Sequence, residues 1–467
     1  MAKKDTRILL FILIAIIFIV KILFFLHRYH LVTWDEAVFL GMGKWIFSGG
    51  EIGIWENIRP LGLPFLLGLV WLIGLDYIMS SGFLILFFTI GVVVFTYLLS
   101  ERLFGQRVAI IASIITYITP ILFYHSNRIF TGIPALFFCL AAIYFFTKKR
   151  FILAAILCFT AFFFRYPAGL IFVVVQILLF IDYYYKPSIN GILDNFKKNV
   201  WPFLKFNITF AILMIFFFIL NKLVHGSYIE PILMASEHQS TFVGNVYGLD
   251  YFIFYPVALI TSNLLFLFAL YIHIRKRKIL YALIPFIVFF AYFQIIPHKT
   301  ERFLILLIPY LAILSAVGIV RFMDIPKKRI YNIAFTVFIL AAISYVAFFG
   351  SYKTLDRFPH EKPEFVDSYH KFFENIDFEG TIFTSDPVPA AYTDHKYLHF
   401  YASPAVGLML LKETEVDAYI YSPEAFPWDD PQSEIEKEKM IDYIREKGDL
   451  VYNGTVYRQP REIYIRR

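Results

Sequence analysis

At 467 residues, 59% hydrophobic and 20% aromatic, with a mean hydropathy of +0.65, the chain is too apolar for a soluble globular protein and reads as an all-α polytopic membrane protein. Its net charge of +7 points to no nucleic-acid partner, because the Lys and Arg residues sit in short clusters between apolar runs, where they set membrane orientation. The two cysteines, Cys139 and Cys158, lie inside apolar runs, which argues against both a disulfide framework and a cysteine metal site.

The run after MAKKDTR is longer than a signal-peptide core and has no small-residue cleavage site, so it is expected to remain as an anchor. Crossing the hydrocarbon takes about 20 apolar residues. That template predicts eleven spans, near 8–26, 82–100, 107–124, 132–147, 151–165, 167–185, 204–222, 251–272, 279–296, 303–321 and 330–349. The remaining apolar run, LGLPFLLGLVWLIGL at 61–75, is short, broken by glycines and Pro64, and ends at Asp76. If it does not cross, Lys3, Lys4, Arg7, Arg102, Arg107 and residues 148–150 fall on one side, together with Lys197, Lys198, 275–278, Lys327, Lys328 and Arg329. The bias toward cytoplasmic Lys and Arg is then obeyed at every turn. The run is therefore expected to be a juxtamembrane helix in the outer leaflet. In that register the N-terminus is cytoplasmic, in the plasma membrane. The outer face receives the loop 27–80, HSNRIFTG (125–132), FRYPAG (164–169), the loop 225–250, PHKTERF (297–303) and everything after about 350.

After residue 350 charges, prolines and short alternating runs take over, which divides the chain into a transmembrane domain, 1–350, and a small extracytoplasmic α/β domain, 351–467. Residues 380–386 and 416–422 read as strands. SEIEKEKMIDYIREKG (433–448) reads as a helix with Ile435, Met440, Ile441 and Ile444 near one face. DLVYNGTVYR reads as a hairpin turning at Asn453-Gly454. The triplet Asn453-Gly454-Thr455 also matches a glycosylation acceptor.

Two constellations carry chemistry. The first is Trp34-Asp35-Glu36, just beyond the first span. The carboxylates either cap an interfacial helix with Trp34 anchored at the headgroups, or one of them is a general base. Neighbours on a helix point about 100° apart, so the pair is a poor chelate for one metal ion. The second is His298, Lys299, Glu301 and Arg302 in HKTERF. If helical, His298 and Lys299 share a face with Arg302, and that face suits a phosphate. The competing reading is snorkelling toward headgroups. Arg128 and Arg165 at outer span ends are either anchors or further walls of one cavity with HKTERF and the loop 27–80. Glu230, Glu237 and His238 belong either to a solvated loop or to a cover over a site. Arg59 and Pro60 open the juxtamembrane helix, where Arg59 could orient a ligand headgroup.

These residues resemble the GT-C superfamily of membrane glycosyltransferases, in an Asp-Glu pair after the first span, a Pro-led juxtamembrane helix (RPLGLPFLLG) and a basic link into a late span (HKTERFLILLIPYLAIL). HKxxRF is similar to the lipid-linked mannosyltransferases. The plan with a C-terminal outer domain is closer to protein O-mannosyltransferases and aminoarabinose transferases. The resemblance covers roughly 1–350 and implies a polyprenyl- or dolichyl-phosphate sugar donor, with Asp35 as base. Several members, notably oligosaccharyltransferases, carry an acidic metal ligand in the second outer loop. HSNRIFTG has none, so no metal is expected to be required.

The chemistry is consistent with that resemblance. A phosphate leaving group needs no acid, but cations such as Lys299 and Arg302 must stabilise its charge, and a hydroxyl acceptor needs a carboxylate to take its proton. The expected function is transfer of a monosaccharide from the lipid donor to a lipid-linked glycan, a protein or another cell-surface acceptor. The alternative is a transporter or flippase of a lipid-linked sugar. It predicts ionisable groups near the midplane, where the spans have almost none. A third reading, spans as a mere anchor for the outer domain, does not account for eleven of them.

Overall fold

The computed structural model describes residues 3–184, 191, 196, 200–241, 249–272, 277–325, 329–350, 354–361, 366, 380–399, 404–421, 431–456 and 459–467. Lys197, Lys198, the first half of the basic run 275–278, Lys327, Lys328 and the side chain of His238 lie outside the described residues. Two compact units emerge, one formed by Met1–His27 with Gly82–Arg357 and the other by Arg28–Ser81 with Phe358–Arg467. The division differs from that read from composition, because the loop 28–81 packs with the C-terminal sheet. Tyr29 N donates to Pro359 O at 2.7 Å, and Gly53 exchanges two 2.8 Å backbone bonds with His395 and Tyr397.

In the first unit every predicted span contains helix. It contains α1 (Lys3–His27), most of α4 (Tyr77–Phe104), α5 (Gln106–Ile118), α6 (Pro120–Ser126), α7 (Gly132–Thr147), α8 (Phe151–Phe164) and α9 (Leu170–Leu179). Later helices run Val200–His225, Leu249–Ser262, Leu280–Ile295, Ile308–Met323 and Arg329–Tyr345. Among the described residues, five helical stretches are long and apolar enough to cross a membrane, or up to seven if each of two bent pairs is one span. The chain is a multi-pass membrane protein. Leu13 and Ile17 of α1 pack into a core with Leu86, Val93, Tyr117 and Phe123, while Phe11 and Leu26 remain 71% and 70% exposed. Such a narrow buried stripe suits a helix whose other faces meet lipid, where exposed apolar surface carries no penalty.

Two segments read as continuous spans are broken. Between α5 and α6 the axis bends by 66°. Pro120 lacks an N–H and forces the preceding Thr119 out of the helical region, to ψ 119°. The segment 250–271 turns by 105° at Asn263, whose extended backbone is held by its own side chain accepting from Leu265 N at 3.1 Å. Asn263 Nδ2 also donates to Thr119 Oγ1 at 3.0 Å, so one buried bond ties the two breaks together.

In the second unit α2 (Trp34–Phe47) packs on α3 (Gly62–Leu72) at backbone distance. A Cβ on Gly43 would lie 2.8 Å from Gly68 N, and one on Gly68 would lie 2.6 Å from Gly43 O. Small residues allow this approach, as in close-packed membrane helices. Gly43→Ala is expected to lower the thermal transition in detergent, because overpacking of about 1–3 kcal/mol outweighs a helix-propensity gain of about 1 kcal/mol. An unchanged or raised transition would show that α3 can retreat.

The sheet of this unit has order β2-β1-β3-β5-β4, with β1 (Thr381–Thr384), β2 (Lys396–His399), β3 (Ala418–Tyr421), β4 (Gly448–Val456) and β5 (Gln459–Arg466). β1 runs parallel to β2 and β3, and β5 is antiparallel to β3 and β4. Two expectations are corrected. The hairpin does not turn at Asn453-Gly454; both lie within β4, opposite Glu462 and Arg461, and the strand runs on to Val456 paired with Gln459. Pairing with the whole of β5 outweighs the local turn signal. On the helix Pro431–Lys447, Met440, Ile441 and Ile444 enter the core, whereas Ile435 is 47% exposed.

Candidate functional site

The second unit holds the carboxylate pair. Thr33 is extended and α2 begins at Trp34, which is half-buried. Glu36, three residues into the cap, has no exposed surface. Its Oε2 accepts from Thr33 N and Thr33 Oγ1, both at 2.8 Å, and its Oε1 meets His30 Nε2 at 2.9 Å. Glu36 therefore closes the helix start, as a capping-box acid does. Asp35 keeps 18% of its side chain exposed and pairs with Arg59 Nη2 at 2.8 Å. Arg59 also binds Glu56 through Nε at 2.6 Å and lies over the Phe39 ring. Burial pushes the Glu56 carboxyl above its usual range; Arg59 opposes this and the Asp35 charge adds to it. The sequence offered Arg59 as a ligand-orienting group. In the fold it orients Asp35, with Glu56 behind it.

The first unit holds a cavity of about 610 Å³, within the range of small-molecule sites. It opens where the two spans break. Pro120, Tyr124 and His125 line it from α6, and Phe254, Ala258 and Thr261 from the helix before Asn263. Lys299, Glu301, Arg302 and Arg357 supply its charge. HKTERF is not helical throughout, which corrects the assumption that placed His298 and Arg302 on one face. Pro297 ends the preceding helix at Ile295, Thr300 is extended, and a new 3₁₀ turn starts at Glu301. His298 instead packs edge-on to the Phe303 ring.

Lys299 is 6% exposed and donates to Phe293 O at 2.9 Å and Gln294 O at 2.7 Å, with its ammonium over the Tyr251 ring at 3.8 Å. It caps a helix C-terminus, where a cation is favourable. Burial brings its pKa down to about 8, so it stays mostly charged at neutral pH. Arg128 and Arg165 belong to the same unit, but neither lines the cavity. Arg128 is buried behind Tyr124, donating to its hydroxyl at 3.2 Å, and Arg165 lies over Phe303.

Arg357, stacked over Tyr124 at 5.1 Å, was missed because it lies past the composition shift at 350. Thr119-Pro120 was the available signal for the break that forms one wall. Of the residues proposed as a cover, Glu230 and Glu237 lie on a separate helix, Glu230–Thr241. Among the described residues no three His, Cys, Asp or Glu side chains gather as a metal-ligand set.

No protein-family model and no curated protein matches the chain. Solved structures do. ArnT from Cupriavidus metallidurans bound to undecaprenyl phosphate is 13% identical with a TM-score of 0.67, over 99% of this chain and 98% of that one. The apo oligosaccharyltransferase of Archaeoglobus fulgidus is 13% identical with a TM-score of 0.61, over 90% of this chain and 70% of that one. The mycobacterial arabinofuranosyltransferase AftD is 12% identical with a TM-score of 0.56, over the whole of this chain and 42% of that one. The fold is that of the GT-C glycosyltransferases.

Proposed function

We propose that this GT-C chain is an integral-membrane glycosyltransferase that moves a monosaccharide from a polyprenyl-phosphate donor to a hydroxyl acceptor outside the cytoplasm. The observation that carries the reading is the cavity at the two broken helices, with Arg302, Arg357 and Lys299 on its wall. A lipid phosphate leaves with its negative charge concentrated on oxygen, and guanidinium groups bind such oxygens through a fixed fork of donors. Arg302 and Arg357 take that role, and Lys299 adds positive charge while capping its helix. Asp35, oriented by Arg59, takes the acceptor proton. Glu36 caps the helix that carries it, and Glu56 holds Arg59.

On this reading each bent pair is one crossing and the shorter apolar helices of the first unit cross as well, which gives eleven crossings among the described residues. Gly62–Leu72 then lies in the outer leaflet and the C-terminal sheet outside. The reaction needs no metal on this reading. The test is incubation of the full-length protein, in sealed right-side-out vesicles, with undecaprenyl- and dolichyl-phosphate sugars and a water-soluble acceptor added outside. Release of polyprenyl phosphate with a glycosylated acceptor, unaffected by EDTA, is expected. Movement of the intact lipid-linked sugar across the bilayer without any covalent product would instead establish the flippase reading.

A further inference from the structure

Lys44 stands at the opposite end of α2 from Asp35, about 13 Å along the helix at 1.5 Å per residue. It is 3% exposed, and a buried ammonium is tolerated only when its hydrogens are all engaged. Its Nζ reaches Thr393 O at 2.9 Å, Ala391 O at 3.4 Å and the Asp394 carboxylate at 2.9 Å. All three acceptors belong to one short segment of the C-terminal sheet's own chain, between β1 and β2. That segment is anchored: Thr393 Oγ1 shares a 2.5 Å bond with Tyr397 OH in β2, and Tyr392 OH receives Val32 N at 3.2 Å. A Cβ on Gly41 would stand 3.3 Å from Ala390 Cβ, so the helix lies directly on it.

The sheet's topology gives this contact its meaning. β1 lies between β2 and β3, the place where successive connections diverge to either side, and α/β sheets ordinarily receive ligands beyond the strand ends at such a point. Here the chain leaving the carboxyl end of β1 seats α2 instead. We propose that Lys44 is a positioning residue for Asp35, locking α2 to the 391–394 segment so that the small sheet sets where the carboxylate is presented. The role attributed to Asp35 rests on the proposed function; the lock itself does not.

Lys44→Met, Lys44→Arg and Asp394→Asn in the full chain test it by three readouts. For Lys44→Met, kcat is expected to fall roughly 10- to 100-fold, the scale of an ångström-sized misplacement. Affinity for undecaprenyl phosphate should stay within about twofold, and the α2 amides should exchange about tenfold faster or more. Lys44→Arg should recover most of the rate, and Asp394→Asn should show the same pattern more weakly, which keeps the test open if Lys44→Met does not fold. Unchanged exchange in α2, or loss of undecaprenyl phosphate affinity in step with kcat, overturns the proposal. Should the wild-type protein transfer no sugar, the exchange data still decide the lock, and only the function reading fails.

Discussion

Exchange of Asp35 for Asn is expected to lower sugar transfer by roughly 10²- to 10⁴-fold, the usual contribution of a positioned base, or about 2.7–5.5 kcal/mol of barrier. Asn keeps the shape of the side chain but cannot accept the acceptor's proton. The fold should survive, because Arg59 retains Glu56 at 2.6 Å and the helix start is closed by Glu36 through Thr33 and His30. Initial rates at saturating donor, beside a binding measurement with undecaprenyl phosphate, separate the chemical step from affinity. Full activity in this variant would remove Asp35 from the base role. Glu36→Gln provides the contrast: its effect should fall on thermal stability, by about 0.5–2 kcal/mol for a weakened cap, more than on rate.

Removal of the Arg302 guanidinium, as Arg302→Met, is expected to weaken binding of undecaprenyl phosphate by roughly 10- to 200-fold, from about 1.5–3 kcal/mol for a hydrogen bond to a charged group. Arg302→Lys should recover only part, since an ammonium cannot present two parallel donors to one phosphate. Lys299 adds a pH signature. Its pKa lies below that of a free lysine, at about 8, so its charge is present at pH 7 and lost as pH rises through about 8. Affinity should decline in that window. Calorimetric titration across pH 7 to 9, with wild type and Arg302→Met, reads both effects. An Arg302→Met variant that binds undecaprenyl phosphate as the wild type does would move the phosphate site elsewhere.

Much of this protein is written in its hydropathy. The apolar helices and the small C-terminal sheet follow from apolar runs of about 20 residues and a composition change, because lipid admits only chains that satisfy their own backbone. Local patterns could not say which partners the two charged motifs would find. That Arg59 faces Asp35, that Glu36 is consumed by a helix cap and that Lys299 binds carbonyls at a helix end depend on contacts the linear order does not encode.

The same holds for the Asn-Gly step absorbed into β4 and for the loop 28–81, which joins the C-terminal sheet across some 300 residues of chain. The pattern of apolar runs with charges between them determined by itself that the chain is a multi-pass membrane protein. Tertiary packing decided which of those charges line a cavity, since the Thr119 and Asn263 breaks make room only once the two helices are tied side by side.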